Sequence, residues 1–212
     1  MKNLAQEIEV LNKTLADQLP TETIEAFGRA IEDLKSRDVG VQSLQIGERF
    51  PDFSLPNTVG EQICLSDLLK KGKVIVAFFR GSWCPYCNLQ LRALQRELKE
   101  IVRKEASLIA VSPQMTTFNT DIKTSEQLTF DLLTDKGNTL ASKLGINFEL
   151  QQEVIPHYNS LGIDLTQYHE EGDAKLPVPA VFAVGTDGII TYKFADSNYM
   201  NRVDIRDLLN QL

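Results

Sequence analysis

"KVIVAFFRGSWCPYCNLQLRALQ", residues 73–95, holds the change of pattern that decides the fold. Lys73 to Phe79 is a short, almost wholly apolar run rich in β-branched and aromatic residues, as expected of a strand buried on both faces. Arg80-Gly81 closes it. Pro85 suits the first turn of a helix, where its missing N–H costs nothing and its fixed φ is already right. Leu89, Leu91, Leu94, Leu98 and Ile101 then mark one side of a long helix. A buried strand thus runs through a tight turn into a helix, with Cys84 and Cys87 at the junction.

The same stretch raises a chemical question, because two of the chain's three cysteines stand three positions apart in it. A zinc site needs four ligands, commonly in paired sets. The remaining candidates, Cys64, His157 and His169, are scattered. A structural staple needs an oxidising compartment. The opening "MKNLAQEIEVLNKTL" alternates apolar and charged residues and lacks the apolar core of a secretory signal, so a cytosolic location is expected. A reactive dithiol is the reading that remains. Cys84 lies where unsatisfied helix amides and the positive dipole end favour a thiolate, lowering the pKa from about 8.5. Arg80 adds a positive charge four residues earlier. Cys87 follows one turn later on the same face. The outer sulfur, Cys84, is expected to attack and the inner one to close a disulfide behind it. Cys64 is expected to be a buried, unreactive thiol, and both histidines to be solvated.

Composition bounds the rest. The 212 residues, 42% hydrophobic and 24% charged, suffice for one sizeable domain with an accessory segment. A net charge of −7 without a basic stripe argues against nucleic acid. The apolar run at 74–79 is far too short to span a bilayer, so no membrane is expected. Residues 1–46 read as a helical extension. Leu4, Ile8, Leu11 and Leu15 form one stripe that Pro20 ends, and Ile24, Phe27, Ile31 and Leu34 form a second, with Thr21 as its N-cap. This is a helical hairpin laid over the main domain or, alternatively, an arm that makes a homodimer.

From residue 47 to 212, strands and helices alternate. Strands are expected at 62–65, 73–79, 107–112 and 129–135, and a hairpin at 178–184 and 189–194. A helical stretch near 114–125 and a closing helix complete the pattern, and 146–176 reads as an irregular polar insertion. The expected fold class is α/β: a sandwich with a mixed central sheet flanked by helices, plus the N-terminal helical extension.

The lead-in from Gly47 with "PDFSLP", the "FFRGSWCPYC" core, "LPVPAVFAVGTDGII" and the closing "ADSNYMNR" together closely resemble the alkyl hydroperoxide reductase/thiol-specific antioxidant family, in its peroxiredoxin-like branch. The resemblance implies a thioredoxin-like fold with Cys84 as the attacking thiol. It also implies reduction of a peroxide substrate, with resolution by Cys87 and recycling by a thioredoxin-like electron donor. Arg80 would lower the Cys84 pKa and polarise the O–O bond, while Trp83 and Tyr86 would shape the rim. In such a sheet the Val178–Pro179 loop lies against the dithiol. Its backbone could pair with an extended thiol partner by strand addition, and a Val–Pro bond can be cis at small cost. One departure stands out. Where the family carries Pro-x-x-x-Thr/Ser-x-x-Cys, this chain has Ala77 and Gly81. No metal, flavin or nucleotide cofactor is implied. Two rival readings are a general thiol–disulfide oxidoreductase acting on protein disulfides and a non-catalytic redox-sensing module.

Overall fold

A computed structural model describes residues 3–169 and 174–212. Its centre is a five-stranded mixed sheet built from β3 (Lys73–Phe78), β4 (Ala106–Ser112), β5 (Asp131–Thr134), β8 (Ala180–Val184) and β9 (Ile190–Ala195), in the order β5-β4-β3-β8-β9. β3, β4 and β5 are parallel, whereas β8 pairs antiparallel to β3, and β9 to β8. Two antiparallel ribbons lie outside it, β1 (Ser54–Pro56) with β2 (Gln62–Cys64) and β6 (Asn147–Glu149) with β7 (Lys175–Pro177). This is the mixed sheet flanked by helices that the sequence implies.

Strand alternation divides the core. Val74, Val76 and Phe78 enter one apolar cluster, and Ile75, Ala77 and Phe79 enter the other. The long helix α4 (Pro85–Arg103) and the closing α9 (Ile205–Asn210) cover the second face, to which they contribute Leu91, Leu94, Ile101 and Leu208. The short α3 (Leu65–Leu69) and α6 (Thr139–Leu144) serve the first face, while α5 (Thr116–Ser125) sends Ile122 into the second.

The N-terminal helices straddle both faces. α1 (Leu4–Gln18) packs Ile8, Leu11 and Leu15 on the α4 side, and α2 (Thr21–Ser36) buries Ala26, Ala30 and Leu34 on the opposite one. An Arg96–Glu7 ion pair of 2.7 Å ties α1 to α4. The α2 cap differs from expectation. Pro20, not Thr21, occupies the N-cap position, and Thr21 is already helical.

The expected polar insertion at 146–176 also needs correction, although its residues 170–173 lie outside the described part. The β6–β7 ribbon encloses a 3-10 turn (Gln152–Val154) and two short helices, α7 (Ile155–Ser160) and α8 (Leu165–Tyr168). Phe148, Val154, Tyr158 and Leu165 from this segment are buried in the first cluster. Spaced apolar residues in a polar stretch were enough to form an ordered layer. The histidines are not solvated as expected: His169 is buried, and His157 Nδ1 lies 2.9 Å from the Thr23 hydroxyl. Cys64 is half-buried.

Candidate active site

The turn that leaves β3 is shaped by a glycine and a buried amide chain. A Cβ placed on Gly81 would come within 2.3 Å of Trp83 Nε1, so any other residue here would have to displace the indole. Gln114 Oε1 accepts from the Ser82 N–H at 2.8 Å and from its hydroxyl at 3.1 Å, and Gln114 Nε2 donates to Asn119 Oδ1. Asn88 Nδ2, one turn into α4, donates to the Ser82 carbonyl. The Ser82 backbone is therefore fixed from both sides before the chain reaches Cys84.

Cys84 is the N-cap residue of α4, and Pro85 is its first helical residue, as the sequence implies. Neither sulfur faces bulk solvent. Both cysteines are about 1% exposed. What separates them is that Cys84 lines a cavity and Cys87 does not. A pocket of about 280 Å³ reaches Cys84 and Arg80 and is walled by Leu15, Leu19, Phe27, Ile31, Tyr158 and Met200. Its walls are almost wholly apolar, and α1 and α2 supply much of them.

The electrostatics come from two arginines. Arg80 Nη1 lies 3.8 Å from Cys84 Sγ, and its backbone N–H lies 3.5 Å from Cys87 Sγ. Arg202, from the segment between β9 and α9, places Nη2 3.5 Å from Cys87 Sγ. Burial by itself pushes the Cys84 thiol up. The hydrogen bond from Cys87 and the charges of Arg80 and Arg202 together outweigh it and bring the thiol down to about 5. The helix end matters less than the sequence suggests. The Cys84 side chain makes no capping hydrogen bond, and the Cys87 amide is the smallest of the lowering influences. Cys87 shifts the other way, raised by burial and by its hydrogen bond and proximity to the Cys84 thiolate.

Aromatic rings complete the enclosure. The Arg80 guanidinium stands 4.4 Å from the Tyr199 ring centroid and 4.8 Å from that of Trp83, and Arg80 Nη2 donates to the Tyr158 hydroxyl. Trp83 and Tyr158 meet edge to face. Burial raises the Tyr158 and Tyr199 phenols and pushes Tyr86 up to about 12, so all three stay neutral. Among the described residues neither Arg80 nor Arg202 is ion-paired with a carboxylate. The Cys84 thiolate is the counter-charge they share. No group of acids, histidines and cysteines among the described residues could hold a metal ion.

Of the residues expected at the site, Arg80, Trp83, Cys84 and Tyr86 line the cavity, and Cys87 lies directly behind Cys84. Tyr86 is buried rather than on a rim, and its hydroxyl donates to Asn12 Oδ1 of α1 at 2.7 Å. Val178 and Pro179 are not in the cavity wall. Both are buried, the peptide bond is trans, and the backbone is already engaged. The Val178 N–H donates to Ile146, and the Pro179 carbonyl accepts from Asp196. The Val178 N–H is thus already committed and cannot also donate to an added strand. Tyr158, Tyr199 and Arg202 were missed. The last two sit in the "ADSNYMNR" segment, whose tyrosine and arginine beside small polar residues were its one visible signal.

A dithiol at the start of a helix, beside a guanidinium, is a chemical arrangement that comparison with known proteins can place. The family model described as AhpC/TSA family matches residues 46–193. The chain belongs to the AhpC/TSA family. A putative peroxiredoxin bcp of Buchnera aphidicola (subsp. Schizaphis graminum) is 33% identical over 104 residues, 49% of this chain and 65% of that protein. Peroxiredoxin Bcp of Escherichia coli K12 is 27% identical over 103 residues, again 65% of its length. The match thus spans just under two thirds of these relatives. In structure, the AhpC/TSA chain resembles peroxidoxin BcpB from Mycobacterium tuberculosis, with TM-score 0.63, 19% identity, 79% of this chain and 96% of that one covered. This likeness extends the fold assignment beyond the bcp matches. Helices α1 and α2, which roof the thiol, lie outside the residues that the family model matches.

Proposed function

We propose that this chain is a peroxiredoxin-type oxidoreductase that reduces hydroperoxides through Cys84 and Cys87. The Cys84 thiolate attacks the terminal oxygen of R–O–OH. The O–O bond breaks, Cys84 becomes a sulfenic acid, and the departing alkoxide takes a proton to leave as an alcohol. Cys87 then attacks the Cys84 sulfur, an S–S bond replaces the S–O bond, and water leaves. A thioredoxin-like dithiol in a reducing cytosol returns both thiols through a mixed disulfide. The carrying observation is Cys84 at the floor of a cavity, with Arg80 Nη1 3.8 Å from its sulfur and Cys87 one helical turn behind.

Gly81 holds the place where the resemblance expects a hydroxyl side chain, so Arg80 is the group left to position and polarise the peroxide. The apolar cavity favours an organic hydroperoxide over hydrogen peroxide, since hydrocarbon is transferred into such walls at a gain of about 25 cal/mol per Å². One equivalent of cumene hydroperoxide added to the reduced protein should yield the mass of a Cys84–Cys87 disulfide, and a thioredoxin system should then sustain turnover. Peroxide consumption no faster than that of a free dithiol would end this reading. The Cys-x-x-Cys spacing supports a second one, a thiol–disulfide oxidoreductase. It requires insulin-type disulfides to be reduced faster than peroxide, against the burial of Cys84 beneath α1 and α2.

A further inference from the structure

Arg202 helps to hold Cys84 as a thiolate through its charge, but the sulfur its guanidinium contacts is that of Cys87. Its Nη1 donates to the carbonyls of Tyr199 and Asn201, its guanidinium lies 5.9 Å from the Tyr86 ring centroid, and Nη2 reaches to 3.5 Å from Cys87 Sγ. The Arg80 backbone N–H points at the same sulfur from 3.5 Å. Two donors therefore converge on an atom that becomes a nucleophile only in the second half of the cycle. The arginines divide the dithiol between them, with the Arg80 guanidinium against Cys84 and the Arg202 guanidinium against Cys87. We propose that Arg202 is the catalytic residue for disulfide closure, holding Cys87 as a thiolate against Cys84 once Cys84 has become a sulfenic acid. This inference rests on the peroxidase reading above.

The physical argument concerns when each sulfur is charged. A thiol attacks as its thiolate. In the resting site Cys84 carries the negative charge, and a second anion beside it in a buried site would be strongly disfavoured. Cys87 accordingly stays protonated and donates to Cys84. The groups facing Cys87 are Cys84 and Arg80 ahead of its helix, Arg202 from the C-terminal segment and the neutral phenol of Tyr158 from α7. Oxidation makes Cys84 neutral, which removes both the repelling charge and the acceptor of the Cys87 proton. Arg202 and Arg80 remain, now without an anion. Cys87 gives up its proton, its sulfur forms the S–S bond, the S–O bond of Cys84 breaks, and the leaving hydroxide takes a proton to become water. Sulfenic acid and thiol are consumed one for one, so no further oxidant or reductant is needed.

The test is single-turnover oxidation of the full chain by one equivalent of cumene hydroperoxide between about pH 6 and pH 9, around the usual thiol range. Closure is followed by the fluorescence of Trp83, the chain's single tryptophan, and by mass after quenching with dimedone. With Arg202→Gln, closure near neutral pH should slow by about tenfold for each unit by which the Cys87 pKa rises. Dimedone-trapped Cys84 should accumulate, and the rate should recover toward alkaline pH. Arg202→Lys, which keeps the charge but not the fork, should show a smaller shift in the same direction and carries the test alone if the glutamine variant does not fold. Closure at the wild-type rate, or slowed equally at every pH, overturns the proposal. A wild-type protein that forms neither sulfenic acid nor disulfide overturns the peroxidase reading and this one with it. Wild-type cycling alongside an unaffected Arg202→Gln removes this proposal alone.

Discussion

Arg80 is 2% exposed, and a guanidinium buried that deeply costs several kcal/mol unless something nearby answers its charge. Here the answer is a thiolate and the faces of aromatic rings, each ring worth about 0.5–2 kcal/mol. Replacing Arg80 by Met should therefore raise the pH midpoint of the thiolate ultraviolet absorbance of Cys84 by at least about one unit, equivalent to about 1.4 kcal/mol. A midpoint that does not move would remove Arg80 from the mechanism. Cys84→Ser should abolish peroxide reduction, whereas Cys87→Ser should leave a sulfenic acid that dimedone labels. Full turnover by Cys87→Ser would show that Cys87 does not resolve. Gly81→Ala should displace the Trp83 indole, costing about 1–3 kcal/mol as overpacking does, with a shifted tryptophan emission as the readout. The residues the sequence made legible were those that local geometry brings together: Arg80, Trp83, Cys84, Tyr86 and Cys87 within eight positions. Tyr158, which meets Arg80, and Arg202, which meets Cys87, come from 71 or more positions later in the chain, and no spacing rule connects them.

The helices of the first 36 residues decide what meets Cys84. Their stripes were readable in part: Leu4, Ile31 and Leu34 are buried at the expected spacing, but Ile24 is exposed and Phe27 half-buried, and the buried face of α2 runs instead through Ala26 and Ala30. That they would roof a thiol was not readable, because amphipathicity gives the face that is covered and not the surface that covers it. Truncating Phe27 or Leu15 to Ala should lower kcat/KM for cumene hydroperoxide relative to hydrogen peroxide by up to about tenfold, the scale of a few lost apolar contacts. An unchanged ratio would show that α1 and α2 do not select substrate. Asn12→Ala removes the partner of the Tyr86 hydroxyl at a cost of about 1 kcal/mol, which in a chain of this size is about 2–4 °C in Tm. The stretch at 146–176 was misjudged for the opposite reason. Its apolar residues follow no single period, since a ribbon, a 3-10 turn and two short helices share thirty positions, yet each contributes to one buried layer.

Across the whole molecule, alternation along β3 gave the two-sided core directly, and the strand–helix sequence gave a mixed sheet. Strand order did not follow, because β8 pairs with β3 across about a hundred intervening residues, and only the folded register shows Ala180 beside Phe78. The site this sheet carries has a consequence for the stability of the entire chain. Closing a bond between Cys84 and Cys87 ties off a loop too short to restrict the unfolded ensemble much. It also extinguishes the negative charge that answers the buried Arg80 and the half-buried Arg202. The bridge should therefore act as a wedge rather than a staple, so that dithiothreitol raises Tm instead of lowering it. The sign with pH follows from the depressed thiol. Its ionised form stabilises the fold fully above the unfolded value of about 8.5, and that contribution shrinks as pH falls toward about 5 and vanishes below it. Calorimetry of the two redox forms should accordingly converge in acid and diverge toward neutrality, with the oxidised molecule the more fragile and therefore eager to surrender its bridge to any donor able to reach it.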